Sequence, residues 1–239
     1  MLDYSNVKYF PSAKELPDSD DTPTDNELQD HIPTLLKTIL LWLWRDRYDW
    51  FFGIDMGLYY HPDEPVIIPD AFLSLGVERY IDEDLRLSYV LWEEKVVPPL
   101  ILEVVSQHYR GEFSAKKEKY AEIGALYYVI YAPRRRRKAR LEVYKLVNGT
   151  YELQPGNPVW MPEIGLGIGA ERGDYGGIVR EWLYWYDEAG QRFPTTEERV
   201  QQREQQAVEA TRRALEAEKR AQQLAERLRA LGIDPETLD

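Results

Sequence analysis

The chain has 239 residues, with 30 basic and 42 acidic side chains and a formal net charge of −12. Its 44% hydrophobic and 13% aromatic content supplies one packed domain plus an appendage and excludes disorder throughout. The acid excess argues against capture of nucleic acid by bulk charge but leaves room for a local basic groove. The absence of Cys excludes disulfides and thiolate zinc sites and fits a cytoplasmic setting.

Residues 1–24 read as an irregular arm, interrupted by Pro11, Pro17 and Pro23. The first residues lack a basic and apolar leader pattern. The apolar run 35–44 contains Lys37 and is too short to span a bilayer, so no membrane partner is expected. A helix begins near Asn26 and Glu27, and Leu28, Ile32, Leu35, Leu36, Ile39, Leu40 and Leu43 follow helical spacing to about residue 45. Pro33 predicts a kink or restart. Alternation predicts one strand over 49–60 and a second over 66–75, with Pro69 and Asp70 in its middle. Pro69 removes a ladder donor, so that strand is on an edge, bulged or broken there. A charged connection over 77–94 leads to a strand over 100–106 and a helix over 112–124 capped by Gly124. The apolar run 126–131 predicts a strand buried on both faces. A basic turn over 134–140 precedes a hairpin around Asn148 and Gly149. Residues 155–180, rich in Gly and Pro, read as a loop, and 181–186 as a last strand. The tail runs from 194 to 232, and Gly and aromatics vanish until Gly232 ends it. Val200, Ala207, Ala214, Ala221 and Leu228 then recur every seven residues, before a short end over 233–239. The expected architecture is therefore α/β, a mixed β-sheet flanked by helices over 25–193, with a helical tail that could form a coiled coil.

Asp70 and Glu103 each put a carboxylate where an apolar residue is expected, and Lys116 follows on the next helix. A carboxylate inside an apolar strand costs desolvation energy unless it is paired or holds a cation. Mg²⁺, or Mn²⁺ in its place, takes a few hard oxygen ligands and keeps several waters. Asp70, Glu103 and the Val104 carbonyl would suit it. Lys116 could orient or deprotonate a water, or stabilise charge on a phosphate. The plainer alternatives are a turn residue for Asp70 and a structural salt bridge between Glu103 and Lys116.

The ordered set Ile68-Pro69-Asp70, Leu102-Glu103-Val104-Val105-Ser106 and Lys116 through Tyr120 to Gly124 resembles the PD-(D/E)xK nuclease superfamily. With Leu16-Pro17-Asp18-Ser19-Asp20, Asn26-Glu27-Leu28, Leu91-Trp92-Glu93 and the run 127–131, it is similar to a family of small predicted restriction endonucleases, the Uma-two type, first defined as a domain of unknown function. The tail ending at Leu228-Arg229-Ala230-Leu231-Gly232 also resembles that family. The resemblance implies a restriction-endonuclease-like fold and metal-dependent hydrolysis of DNA, with Asp70, Glu103 and Lys116 as catalytic residues. The superfamily places its lysine two residues after the second carboxylate, where this chain has Val105. In the resembling family it moves to the next helix, four residues before the tyrosine, which selects Lys116 over Lys117 and Lys119. Glu27 and Glu112 match acidic positions and are possible additions to the site. Glu27 equally suits a first-turn acid favoured by the helix dipole.

Arg134, Arg135, Arg136 and Arg137 could contact a phosphate backbone or form a solvated basic loop. His31, His61 and His108 lack metal-ligand spacing, though His108 is near enough to Glu103 in sequence to support it. Gly165, Gly167 and Gly169 resemble a phosphate loop without the strand-to-helix context. The tail reads as a solvated single helix or as a coiled coil making a homodimer, which would bring two sites to a duplex. The competing reading from another class is a non-catalytic interaction module on a nuclease fold, with an oligomerising tail. Hydrolysis of RNA or a small phosphodiester would use the same three residues.

Overall fold

The computed structural model describes residues 4–16, 26–81, 83, 85–105 and 111–230. The motif 17–20, Ser106, His108 and the end 231–239 lie outside the described residues. The chain divides into two units, 1–193 and 194–239.

In the first unit, α1 (Glu27–Leu43) starts where Asn26 accepts a hydrogen bond from the Leu28 N–H at 3.0 Å. That bond satisfies one orphan amide of the first turn. Ile32, Leu35, Leu36, Ile39 and Leu40 form its buried face. The helix is assigned continuously through Pro33, so the restart expected there does not occur.

The single strand expected over 49–60 is divided into β1 (Trp50–Ile54) and β2 (Leu58–Tyr59). Asp55 adopts a left-handed conformation (φ 47°), which no extended strand can accommodate. Its N–H donates to the Asp70 carbonyl at 3.2 Å. The second expected strand is also shortened. It begins after Asp70, as β3 (Ala71–Leu75), because Pro69 offers no ladder N–H. Ahead of it, Ile67 makes only an isolated bridge to Leu58.

The connection that follows contains β4 (Tyr89–Val90), which pairs in parallel with β2, and the short α2 (Leu91–Glu94). Next come β5 (Leu100–Val104), α3 (Ala115–Ile123) and β6 (Tyr127–Tyr131). Gly124 caps α3 in the left-handed region (φ 89°), as expected. The helix starts three residues later than the sequence suggested, so Glu112 lies in the preceding turn. β6 is buried along its length, matching its uniformly apolar sequence. β7 (Leu141–Val147) and β8 (Thr150–Gln154) form the expected hairpin, with positive φ at both Asn148 and Gly149.

Residues 155–180 are not a loop. They form β9 (Val159–Met161), β10 (Leu166–Tyr175) and the start of β11 (Ile178–Tyr186), an antiparallel three-stranded sheet. The glycines that obscure the strand pattern are required by close packing. A Cβ on Gly169 would lie 2.7 Å from Tyr186 Cε2 and 2.9 Å from Asn157 Oδ1.

The main sheet runs β1-β3-β5-β6-β7-β8. It is mixed, with β5 and β6 the parallel pair joined through α3. One face packs on α1 and the three-stranded sheet, where Trp185 Nε1 donates to the Leu36 carbonyl at 3.0 Å. The other face packs on α3 through Tyr120 and Ile123, against Phe72, Ile101, Tyr128 and Ile130. Glu103 has the parity of Ile101, so its side chain belongs to the α3 face.

In the second unit, α4 (Thr196–Ala230) is a single helix of 35 residues, roughly 50 Å long at ~1.5 Å per residue. Thr195 and Glu198 form a capping box: the Thr195 N–H donates to the Glu198 carboxylate at 2.8 Å and the Glu198 N–H to Thr195 Oγ1 at 3.2 Å. The pair Glu209 and Arg213, 2.5 Å apart, supports the helix one turn at a time. None of its described residues is buried.

Candidate active site

The site begins with one helical repeat. Lys116 and Tyr120 are four residues apart on α3 and therefore share the face turned to β5. Lys116 Nζ lies 2.8 Å from Glu103 Oε2, and the Tyr120 hydroxyl donates to Glu103 Oε1 at 2.5 Å. Glu103, only 1% exposed, thus has a partner on each oxygen.

Asp70 arrives from the neighbouring strand. It immediately precedes β3, whose Ala71 pairs with Leu102 of β5. Its carboxylate accepts the Val104 N–H at 2.5 Å and the Gln29 side-chain amide at 3.2 Å. Pro69 and the late start of β3 are what free Asp70 from the ladder and let its side chain turn to the end of β5.

Burial pushes the Asp70 carboxyl up to about 8, and the nearby Glu103 charge adds to the shift. The Val104 amide and the Lys116 ammonium oppose it without cancelling it. Burial also pushes the Glu103 carboxyl up, against the pull of Lys116 and Tyr120. For Lys116, burial alone would lower its value, but Glu103, Asp70 and Glu112 outweigh it and hold the ammonium above its usual range. The centre is thus a cation beside two carboxylates, and Asp70 ionises only with difficulty. The first cause is burial, and the Glu103 charge is the second.

The other expected residues fall into place differently. Lys117 lies over the Tyr144 ring, 3.4 Å from its centroid, and Lys119 pairs with Glu122 at 2.8 Å, so Lys116 alone of the three contacts Glu103. Glu112 is buried; its carbonyl accepts the Tyr128 hydroxyl at 2.8 Å, and its charge acts on both Glu103 and Lys116. Glu27 does not join the group among the described contacts. Its exposed carboxylate lies 3.4 Å from His31 Nε2, because its position on α1 faces outward. Gln29 is the α1 residue that reaches Asp70 instead. Val104 meets Asp70 through its N–H, and its carbonyl is the atom expected to face a metal. His61 stacks on Tyr4, away from any cluster of ligands.

Three participants were missed in the sequence. Tyr120 was visible in principle, as the i,i+4 partner of Lys116. Gln29 and Asp55 carried no signal, since each depends on how a distant segment packs against Asp70. Arg134, Arg136 and Arg137 are exposed, whereas Arg135 is paired with Glu142 and lies 4.3 Å from the Phe113 ring centroid.

Among the described residues no three His, Asp or Glu side chains cluster as a metal-binding group. The hard oxygen donors at hand are the two carboxylates and the Val104 carbonyl. That set suits a small divalent cation which keeps most of its waters. Asp70, whose carboxyl is pushed up by burial and by the Glu103 charge, is the residue such an ion would relieve.

The sequence pattern of the Uma2 family, described as "Putative restriction endonuclease", matches residues 21–171, a span containing Asp70, Glu103 and Lys116. A solved structure from Anabaena variabilis, described as a putative nuclease of a domain-of-unknown-function family, is similar at 12% identity, with a TM-score of 0.43. The similarity covers 59% of this chain and 75% of that one. No curated protein matches the chain.

Proposed function

The chain belongs to the Uma2 family, and on that premise we propose that it is a metal-dependent endonuclease that hydrolyses DNA phosphodiester bonds at Asp70, Glu103 and Lys116. The observation that carries this reading is the convergence of the buried Glu103, the half-buried Asp70 and one ammonium at the end of β5, with burial and the Glu103 charge pushing the Asp70 carboxyl up. A structural ion pair would need only Glu103 and Lys116. The second acid, turned inward beside the first, is what a structural pair leaves unexplained.

In this reading Asp70 and Glu103, with the Val104 carbonyl, hold Mg²⁺ or Mn²⁺, which when bound supplies a lowered water pKa and charge stabilisation at the phosphate. Lys116 works as a cation and not as a base, because its surroundings keep it protonated at neutral pH. It is suited to stabilise negative charge that develops on the phosphoryl oxygens. Tyr120 fixes Glu103 from the opposite oxygen and Gln29 fixes Asp70. Both are positioning residues.

Supercoiled plasmid is the direct test. Wild-type protein should nick or linearise it with Mg²⁺ or Mn²⁺ and leave it intact in EDTA. Absence of metal-dependent cleavage overturns the proposal in favour of a non-catalytic interaction module.

Cutting both strands of a duplex needs two sites, and the heptad positions Val200, Ala207, Ala214, Ala221 and Leu228 of α4 offer a seam for a homodimer. Truncation after Phe193 should turn a two-chain species into a one-chain species by sedimentation. A truncated protein that still sediments as two chains rejects the tail as the dimer element.

A further inference from the structure

The residues after β5 and after β6 leave the sheet from the same end, because those two strands are parallel. Beyond that end lies a cavity of about 790 Å³, walled by Gly111, Phe113 and Ser114 on one side and by the basic run 134–138 on the other. The first wall is continuous with the site. The Gly111 carbonyl accepts both the Ser114 and the Lys116 backbone N–H at 3.0 Å, so the turn that lines the cavity also starts the helix carrying Lys116. Ser114 makes no side-chain cap bond, which leaves the positive end of α3 facing the same side.

The basic run divides by role. Arg135 is structural: its guanidinium pairs with Glu142, donates to the Ala139 carbonyl at 3.2 Å and lies over Phe113. Arg140 pairs with Glu181 at 3.4 Å. Arg134, Arg136, Arg137 and Lys138 are exposed and have no ion pair with any described residue. Acids that could balance the loop are occupied elsewhere in it, Glu142 by Arg135 and Tyr144. In a chain of net charge −12, this is a concentration of positive charge, uncompensated among the described residues, across the cavity from the turn that starts the Lys116 helix. A single small anion would call for donors converging on one point. Four separate cations along an open cleft suit a string of phosphates.

We propose that this cleft is a phosphodiester-backbone subsite, in which Arg134, Arg136, Arg137 and Lys138 hold phosphates flanking the one presented to Asp70, Glu103 and Lys116. It rests on the nuclease reading, and deepens it by giving the path of the strand. The acidic remainder of the surface repels nucleic acid and so directs it to this edge. Arg135 holds the loop against Phe113 and positions the other four.

The test is fluorescence anisotropy with labelled single-stranded DNA, duplex DNA and RNA of equal length, on the full chain carrying Asp70→Asn so that cleavage does not intervene. Adding R136A/R137A should weaken binding about 10- to 100-fold near ~0.1 M salt and reduce the slope of log K against log salt by about 2 for duplex DNA. R136K/R137K should restore both, because a phosphate contact needs charge and not a guanidinium fork. The ranking of the three probes identifies which polymer supplies the backbone. Unchanged affinity and slope in R136A/R137A, or no binding of any probe by the parent, overturns the subsite and leaves a solvated loop. The two proposals fail separately. Intact binding with no wild-type plasmid cleavage removes the catalytic reading. Metal-dependent cleavage with charge-independent binding removes the subsite.

Discussion

Under the proposed function, Lys116→Met should lower the rate of plasmid cleavage by about 10²–10³-fold, the usual cost of removing one preorganised charge-stabilising group. Asp70→Ala costs at least as much, since it removes a proposed metal ligand. The expectation for Lys116 follows from its geometry. Its ammonium is 2.8 Å from Glu103, and Glu103 and Asp70 keep it charged despite burial. Methionine preserves the length of the stem and deletes only the charge. It also leaves Glu103 with Tyr120 as its remaining partner. About 1–3 kcal/mol of stability should go with it, less than for a fully buried pair because the lysine side chain is 34% exposed. A thermal melt separates that loss from the catalytic one. Lys117→Met and Lys119→Met serve as controls for helix register. Lys117 lies over Tyr144 and Lys119 pairs with Glu122, so cleavage should survive both changes. A Lys116→Met protein that cuts as fast as wild type would reduce the pair to a structural salt bridge.

In EDTA the protein should lose stability as the pH rises from about 4 to about 8. Asp70 keeps its proton up to about 8 in the folded state, whereas an unfolded aspartate releases it near ~3.9. Between those values the native state binds more protons than the unfolded state, so the unfolding free energy falls with pH. The favourable contribution is complete below the unfolded value and gone above the folded one. Its size is up to about 6 kcal/mol, taken at ~1.4 kcal/mol per pH unit. Glu103 shifts in the same direction and adds to the slope. Asp49 and Glu163 are held below their usual range, by Arg47 and by Lys145 respectively. Their linkage has the opposite sign and is spent in acid, below the pH 5–8 window. Urea unfolding in EDTA should therefore give a slope in this range that is much flatter in Asp70→Asn. Equal slopes in the two proteins would show that Asp70 is ionised in the fold. Mg²⁺ should raise the melting temperature more at pH 8 than at pH 6, because a carboxylate must lose its proton before it can ligate.

The elements legible from sequence were those whose pattern has one cause. β6 is apolar throughout because both of its faces are covered. The hairpin at Asn148 and Gly149 needs two residues that accept positive φ, and the chain has them. α1 has an N-cap and a buried stripe in register. Where two causes act together, the pattern misled. Alternation over 49–60 is real, but Asp55 breaks the strand through a backbone angle that depends on its contact with the Asp70 carbonyl. The glycines of β10 look like loop residues and are strand residues under Tyr186 and Asn157. No periodicity in sequence reports a neighbour from another sheet.

The same distinction applies to the three residues at the centre. That Asp70 and Glu103 are out of place in apolar surroundings was legible from local sequence, because the cost of burying a carboxylate does not depend on which fold buries it. The family resemblance pointed to Lys116, with Lys117 and Lys119 as neighbouring registers that only the contact with Glu103 separates. What required the packed chain was the partnership. Tyr120 on the second oxygen of Glu103, Gln29 on Asp70 and the exclusion of Glu27 all depend on how α1 and α3 lie against β3 and β5. So does the division of the arginine run into one structural and several free cations. Hydrogen bonds are short and directional, and they join residues far apart in the chain, so they exist only after long-range packing has placed their ends.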